Sequence, residues 1–229
     1  MKCAIFGKLP SKRDFVVHNM PRPFLGFWEN WLQSAVAASR SQLGDDWHTA
    51  YLSAPIWRFW IGREVCGISV AGAVMPSVDK VGRYFPLTVC ACAPEGAGID
   101  PPVVDPMEDW YVPVEDALLR ALDEGFAGEA DELVETLAFP PLATRPALEG
   151  GQRHAVSDSL TVWSLPGREC KEGFATLHAE DAEKLYAPRS YWWTNGGASH
   201  ASQIAVSLQM PDPFYFSSFL TGKFVGMAQ

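Results

Sequence analysis

Asp14, Asp79, Arg83 and His18 are the side chains of this sequence best suited to acid–base or phosphate chemistry: two carboxylates, a guanidinium and an imidazole. Such a set would serve a hydrolase or phosphatase only if all four met in one pocket within hydrogen-bond reach. Other catalytic templates fail on spacing. The stretch Gly67-Ile68-Ser69-Val70-Ala71-Gly72 has alanine where a nucleophile elbow needs glycine, and it reads as a buried strand. Gly96-Ala97-Gly98 runs into Pro101 instead of a helix, so it forms neither a dinucleotide fingerprint nor a phosphate loop. The histidines at 18, 48, 154, 178 and 200 include no pair at helical ligand spacing and none beside a cysteine. The cysteines at 3, 66, 90, 92 and 170 contain no Cys-x-x-Cys and read as reduced thiols packed as small hydrophobes. No catalytic residue, metal or cofactor is assigned.

Three loops place polar and aromatic residues beside tight-turn signals, which is the pattern of a binding surface. In Gly7-Lys8-Leu9-Pro10-Ser11-Lys12-Arg13-Asp14-Phe15-Val16, the cations around Asp14 would grip an acidic partner, unless Asp14 caps a local turn or pairs with Arg13. In Ser77-Val78-Asp79-Lys80-Val81-Gly82-Arg83-Tyr84-Phe85, Asp79 and Arg83 bracket Gly82. An internal Asp79–Arg83 pair fixing the loop and a contact with a partner are equally compatible with the sequence. In Ser190-Tyr191-Trp192-Trp193-Thr194-Asn195-Gly196-Gly197, adjacent tryptophans on a strand face opposite sides, so one enters the core while the other either anchors an interface or is covered by the C-terminal aromatics. The candidate partner-binding residues are therefore Lys12, Arg13, Asp14, Phe15, Ser77, Asp79, Arg83, Tyr84, Trp192 and Trp193.

The elements that must hold these loops are legible from periodicity. Residues 2–7 suit a first strand. Phe24, Trp28, Trp31, Leu32, Ala35, Val36, Ser39 and Leu43 recur at spacings of three and four, which predicts a long amphipathic helix opened by Pro21 and Pro23 and closed by Gly44. A short helix follows over 45–52. Residues 56–61, 68–74 and 85–92 read as three strands, antiparallel because the gaps are too short for crossover helices. Breakers between Pro94 and Pro102 mark a linker. Val114, Leu118, Leu122 and Phe126 define a second amphipathic helix, and Leu133, Val134 and Leu137 a third. Residues 140–155 read as a loop, strands return at 160–165, 190–194 and 204–208, and a docked aromatic helix runs from Pro213 to Phe224. The expected fold is one α+β domain over 1–229, with a mixed, mostly antiparallel β-sheet flanked by helices.

Composition narrows the partners. The net charge is -9, with ten Lys/Arg against six Asp/Glu in residues 1–94 and eight against 21 in residues 95–229. Within 95–135, Arg120 stands alone among 13 acidic residues. Such a chain repels nucleic acid and anionic lipid, and the acidic run reads first as a solvated helix face. No apolar window reaches the roughly 20 residues needed to span a bilayer, and the first residues lack a signal-peptide core, so a cytoplasmic home is expected.

The ordered set Phe6-Gly7-Lys8-Leu9-Pro10, Asp14-Phe15-Val16, Ala54-Pro55-Ile56-Trp57-Arg58-Phe59 and Met75 through Leu87, with Ser190-x-Trp192-Trp193-Thr194 later, resembles the TagF/ImpM family. The match is close over residues 1–95 and looser beyond. Arg13 departs from the pattern, which has glycine before Asp14. The resemblance implies a cytoplasmic, post-translational repressor of bacterial type VI secretion that binds the forkhead-associated scaffold protein of the apparatus, with no catalytic residues. Two other readings stand beside it: the hydrolase or phosphatase, here acting on the phosphorylated scaffold, and a longin- or roadblock-like module binding a GTPase or nucleotide at its sheet edge.

Overall fold

The computed structural model describes residues 1–123, 125–126, 128–143, 152–167, 169–197 and 199–224. The chain opens with a hairpin of β1 (Ala4–Lys8) and β2 (Phe15–His18), followed by the long helix α1 (Arg22–Leu43) and the short α2 (Trp47–Ser53). Then come β3 (Trp57–Ile61), the one-turn α3 (Arg63–Cys66), β4 (Val70–Met75) and β5 (Leu87–Cys92). Helices α4 (Glu108–Arg120) and α5 (Ala130–Val134) precede a separate two-stranded ribbon, β6 (Gln152–Ser157) with β7 (Leu160–Ser164). Helix α6 (Cys170–Tyr186), strands β8 (Arg189–Thr194) and β9 (Gln203–Leu208), and α7 (Phe216–Thr221) complete the described chain.

Seven strands form one sheet in the order β2-β1-β5-β4-β3-β8-β9, with every neighbouring pair antiparallel, so the expected mixture contains no parallel pair. Strand alternation splits the apolar residues between two faces. On β3, Trp57, Phe59 and Ile61 face α1, α2 and α7, while Trp60 faces α4 and α5. The α1 stripe is buried as its spacing demands, with Phe24, Trp28, Trp31, Leu32, Ala35, Val36 and Ser39 all inside. Each large apolar side chain in it contributes about 1.5–3 kcal/mol of transfer free energy. Trp28 lies 4.6 Å from Phe59 and 6.0 Å from Trp192 between ring centroids, and its indole N–H donates to the Thr88 hydroxyl at 3.0 Å.

The structure departs from the sequence expectation at two helices. The sequence predicts no helix in the region where α6 lies, and the second helix starts earlier than Val114, at Glu108, carrying Pro113 inside it. Half of the loop expected over 140–155, residues 144–151, falls outside the described residues, and 152–155 belong to β6. Cys3 and Cys90 are buried thiols as expected, but Cys170 is exposed at the start of α6. Among the described residues, no helix is long and apolar enough to cross a membrane.

Candidate functional site

Two of the three loops meet at one corner of the sheet, and the sequence shows why they must. Gly7 sits at φ 139°, and a Cβ there would lie 2.1 Å from the Pro86 carbonyl oxygen, so only glycine lets β1 lie this close to the entry of β5. That approach brings Lys8 beneath the loop joining β4 to β5. The loop folds back on itself: the Gly82 amide donates to the Asp79 carbonyl at 2.9 Å, and the Phe85 amide donates to the Ser77 carbonyl at 3.1 Å. Gly82 adopts φ 83°, as the Asp79–Arg83 bracket anticipates.

Asp79 is the hub. It is 3% exposed. Its carboxylate accepts from Lys8 Nζ at 2.8 Å, Arg83 Nε at 2.6 Å, and the amides of Val81 and Arg83 at 3.0 and 2.9 Å. Burial alone would raise this carboxyl, but the hydrogen bonds from Lys8, Arg83 and Val81 outweigh it and hold it well below the usual carboxylate range. Ser77 is buried too, donating its hydroxyl to the Lys8 carbonyl at 2.7 Å. The Tyr51 hydroxyl both donates to the Ser77 carbonyl and accepts from its amide, at 3.1 Å each.

The first loop is fastened to the second across the gap. The Lys80 amide donates to the Lys12 carbonyl at 2.8 Å, the Arg83 guanidinium donates to the Arg13 carbonyl, and Arg83 lies 3.7 Å from Asp14. Lys12 reaches to Glu129 at the N-cap of α5. Phe15 packs edge-on against Phe85 at 4.8 Å and stacks on Phe6 at 5.7 Å, yet remains 44% exposed. Arg13 is absent from the residues with positive φ, so the turn does not need the glycine of the family pattern. What the corner shows to solvent is Arg13, Asp14, Phe15, Lys80, Val81 and Arg83: three cations, one carboxylate and two apolar side chains.

The placement revises several sequence assignments. Asp79 and Ser77 face inward, where their hydrogen bonds position the loop. Tyr84 is half-buried against Trp47 and Tyr51, at 5.7 and 5.6 Å. The third element lies across the sheet, with β5, β4 and β3 between β8 and β1. There Trp192 is buried in the α1 face and Trp193 packs edge-on against Tyr111 at 4.9 Å, so the pair splits between faces and neither indole joins the corner. His18 stands at the far end of β2 from Phe15 and on the opposite face, apart from Asp79 and Arg83. A cavity of about 220 Å³ between the 97–104 segment and α6 is lined by none of Asp14, His18, Asp79 and Arg83.

Two features were not legible in the sequence. One is the place of Lys8 in the corner, for which its neighbours in the motif were the available signal; Lys80 joins it from within the second candidate loop. The other is Arg58, 1% exposed in the middle of β3 on the α4 face. It donates from Nε and Nη2 to the two oxygens of Glu115 at 2.7 and 2.9 Å and from Nη1 to Glu108 at 2.7 Å, beneath the Tyr111 ring. Burial disfavours the charged guanidinium, but Glu115 and Glu108 more than compensate and raise its pKa. Two members of the acidic run thus neutralise a buried cation and fix α4 to the sheet.

Comparison with known proteins follows the same division of the chain. Residues 4–138, which include the whole corner and the Arg58 network, match the family model described as the TagF N-terminal domain, type VI secretion system-associated. The crystal structure of PA0076 from Pseudomonas aeruginosa PAO1 is similar over 99% of this chain and 97% of its own, at 30% identity and a TM-score of 0.77. No curated protein matches the chain in sequence. The family match spans more than half of the residues and the structural likeness nearly all of them: the chain belongs to the type VI secretion system-associated TagF family.

Proposed function

We propose that this chain is a cytoplasmic regulator that represses type VI secretion after translation, by binding the forkhead-associated scaffold protein of the apparatus. It works by surface complementarity instead of turnover. The observation that carries this reading is the corner itself: two loops of the family-matched region, welded by the Lys8–Asp79–Arg83 network, hold Arg13, Lys80, Arg83 and Phe15 outward on a rigid frame. A preorganised cationic surface around one exposed aromatic ring suits an acidic protein surface with an apolar notch, because little side-chain order remains to be lost on binding.

The test is a titration of the purified scaffold protein against this chain and against Arg13→Glu combined with Lys80→Glu. Both side chains are exposed, so folding is expected to survive, and binding should weaken about tenfold or more. Phe15→Ser should do the same through loss of the anchor. Undiminished affinity in both variants would remove the corner from the interface.

A further inference from the structure

At the end of the sheet away from the corner, β9 is the last strand and no described strand lies beyond it. Its side chains alternate, and Ile204, Val206 and Leu208 are 78%, 51% and 69% exposed. All three lie on the face that carries Tyr191 and Trp193 of β8, their partners or near neighbours in the register. Natural edge strands are blunted by lysine, proline or a bulge. Here the strand reads Gln-Ile-Ala-Val-Ser-Leu, its register with β8 runs without a shift, and no charged residue occurs between His200 and Asp212. The other edge, β2, has only four residues and follows Lys12 and Arg13.

The backbone points the same way. The Gln209 amide donates to the Pro188 carbonyl on the β8 side at 2.7 Å. Alternation along an antiparallel strand then turns the peptide groups of Ser207, Ala205 and Gln203 toward β8, and those of Leu208, Val206 and Ile204 outward. The Ser207 hydroxyl rests on the Leu208 carbonyl at 3.0 Å, an exposed contact that rotates away readily. The residues forming the apolar row are therefore also those with outward donors and acceptors.

We propose that β9 is the docking edge for a second copy of this chain, the two sheets joining antiparallel about a two-fold axis through Val206. In that register Val206 faces its own mate, Ile204 faces Leu208, and Ala205 faces Ser207, so outward peptide groups meet outward peptide groups. A second copy fits because the row is palindromic in bulk about Val206, as an isologous contact requires. Local charge does not oppose it: a chain of net charge -9 repels itself over most of its surface, whereas the edge from Ala201 to Pro211 is uncharged and is the place where a like copy meets least repulsion. One strand ladder and three side chains a copy fall short of the ~1,600 Å² of a standard interface, which makes the dimer a weak and concentration-dependent one. The pairing would leave both corners free at the outer edges. With six strand spacings of ~4.8 Å across each sheet, they stand about 60 Å apart, a geometry for gripping two sites at once.

Sedimentation velocity on the full chain, from roughly 1 to 300 μM, should show the mass rising from 25.2 kDa toward twice that value. Val206→Lys places like charges face to face at the axis and should weaken the dimer at least about tenfold without changing the melting temperature. Register is read separately in a Cys170→Ser background. Mild oxidation should cross-link Val206→Cys to itself but leave Ile204→Cys largely monomeric, since its mate lies four residues along the strand. A chain that stays monomeric throughout, or a Val206→Lys variant that dimerises like its parent, overturns the proposal. So does equal cross-linking at both positions. Protection of residues 203–208 from amide exchange only on adding another protein would assign the edge to that protein and also overturn it.

Discussion

At the scale of single residues, the corner depends on one carboxylate and one missing Cβ. Because the Asp79 carboxyl titrates lower in the folded chain than in the unfolded one, its contribution to stability is present above the unfolded value of ~3.9. That contribution drains away as pH falls through the folded pKa. Denaturant unfolding between about pH 7 and pH 2 should therefore show the parent losing stability more steeply on the acid side than Asp79→Asn, which begins lower at pH 7 because Lys8 loses its buried counter-charge. Parallel curves would mean that Asp79 is not the acid-labile tie. Gly7 gives a sharper contrast. Gly7→Ala meets the Pro86 carbonyl and should cost at least about 3 kcal/mol, whereas Gly82→Ala has open space around its Cβ and should cost only the ~1 kcal/mol of its positive φ. The bracket Asp79–Gly82–Arg83 was readable in the sequence because the bonds that close its turn are local. The inward turn of Asp79 was not, since Lys8 lies 71 residues away along the chain.

At the scale of elements, the same division between local and distant causes decides what could be read. Helix α1 and strands β3, β4 and β5 were legible because their burial follows a simple period and breakers bound them. Helix α6 carries no comparable stripe: Phe174 and Leu185 are exposed, and its apolar residues are scattered. The second helix was partly legible. Pro113 deprives it of one bond to the Asp109 carbonyl and disguises its start, but Trp110, Tyr111, Val114 and Leu118 bury enough surface to hold it on the sheet. Arg58 was quoted in the sequence but its role was invisible, because Glu108 and Glu115 lie 50 and 57 residues away. Arg58→Met should cost less than Arg58→Ala, which leaves both a cavity and two unpaired carboxylates and should reach about 3 kcal/mol or more. Glu115, largely covered and bidentate, should cost about 2 kcal/mol as Glu115→Gln, while the half-exposed Glu108 should cost under about 1 kcal/mol as Glu108→Gln. Chemical denaturation of the four variants checks the order, and an equal loss at both glutamates would contradict the burial argument.

At the scale of the whole molecule, the sheet is shared by two cores, and that predicts how the chain comes apart. Val70 and Val74 of β4 serve the α1 face while Ala71, Ala73 and Met75 serve the α4 face, so neither layer can lose its packing without stripping side chains from strands the other needs. Cys3 lies in the α4–α5 core and Cys90 in the α1 core, and both are buried. Burial pushes the Cys3 thiol up to about 11, and a hydrogen bond with Cys92 together with burial raises the Cys90 thiol well above its ordinary value, so neither offers thiolate to a reagent while folded. Exposed Cys170 should react at once with a thiol reagent. Cys3 and Cys90 should then label slowly and together, with the free energy of opening measured by denaturant, because one cooperative event exposes both. If Cys3 labelled well ahead of Cys90, α4 and α5 would open alone as a sub-global unit. The Arg58 network would then be a latch releasable from the sheet, and the corner, tied to α5 through Lys12 and Glu129, would loosen with it. Labelling kinetics of the Cys170→Ser chain, followed by mass spectrometry of each peptide, distinguishes a rigid corner from one that folding of the acidic layer controls.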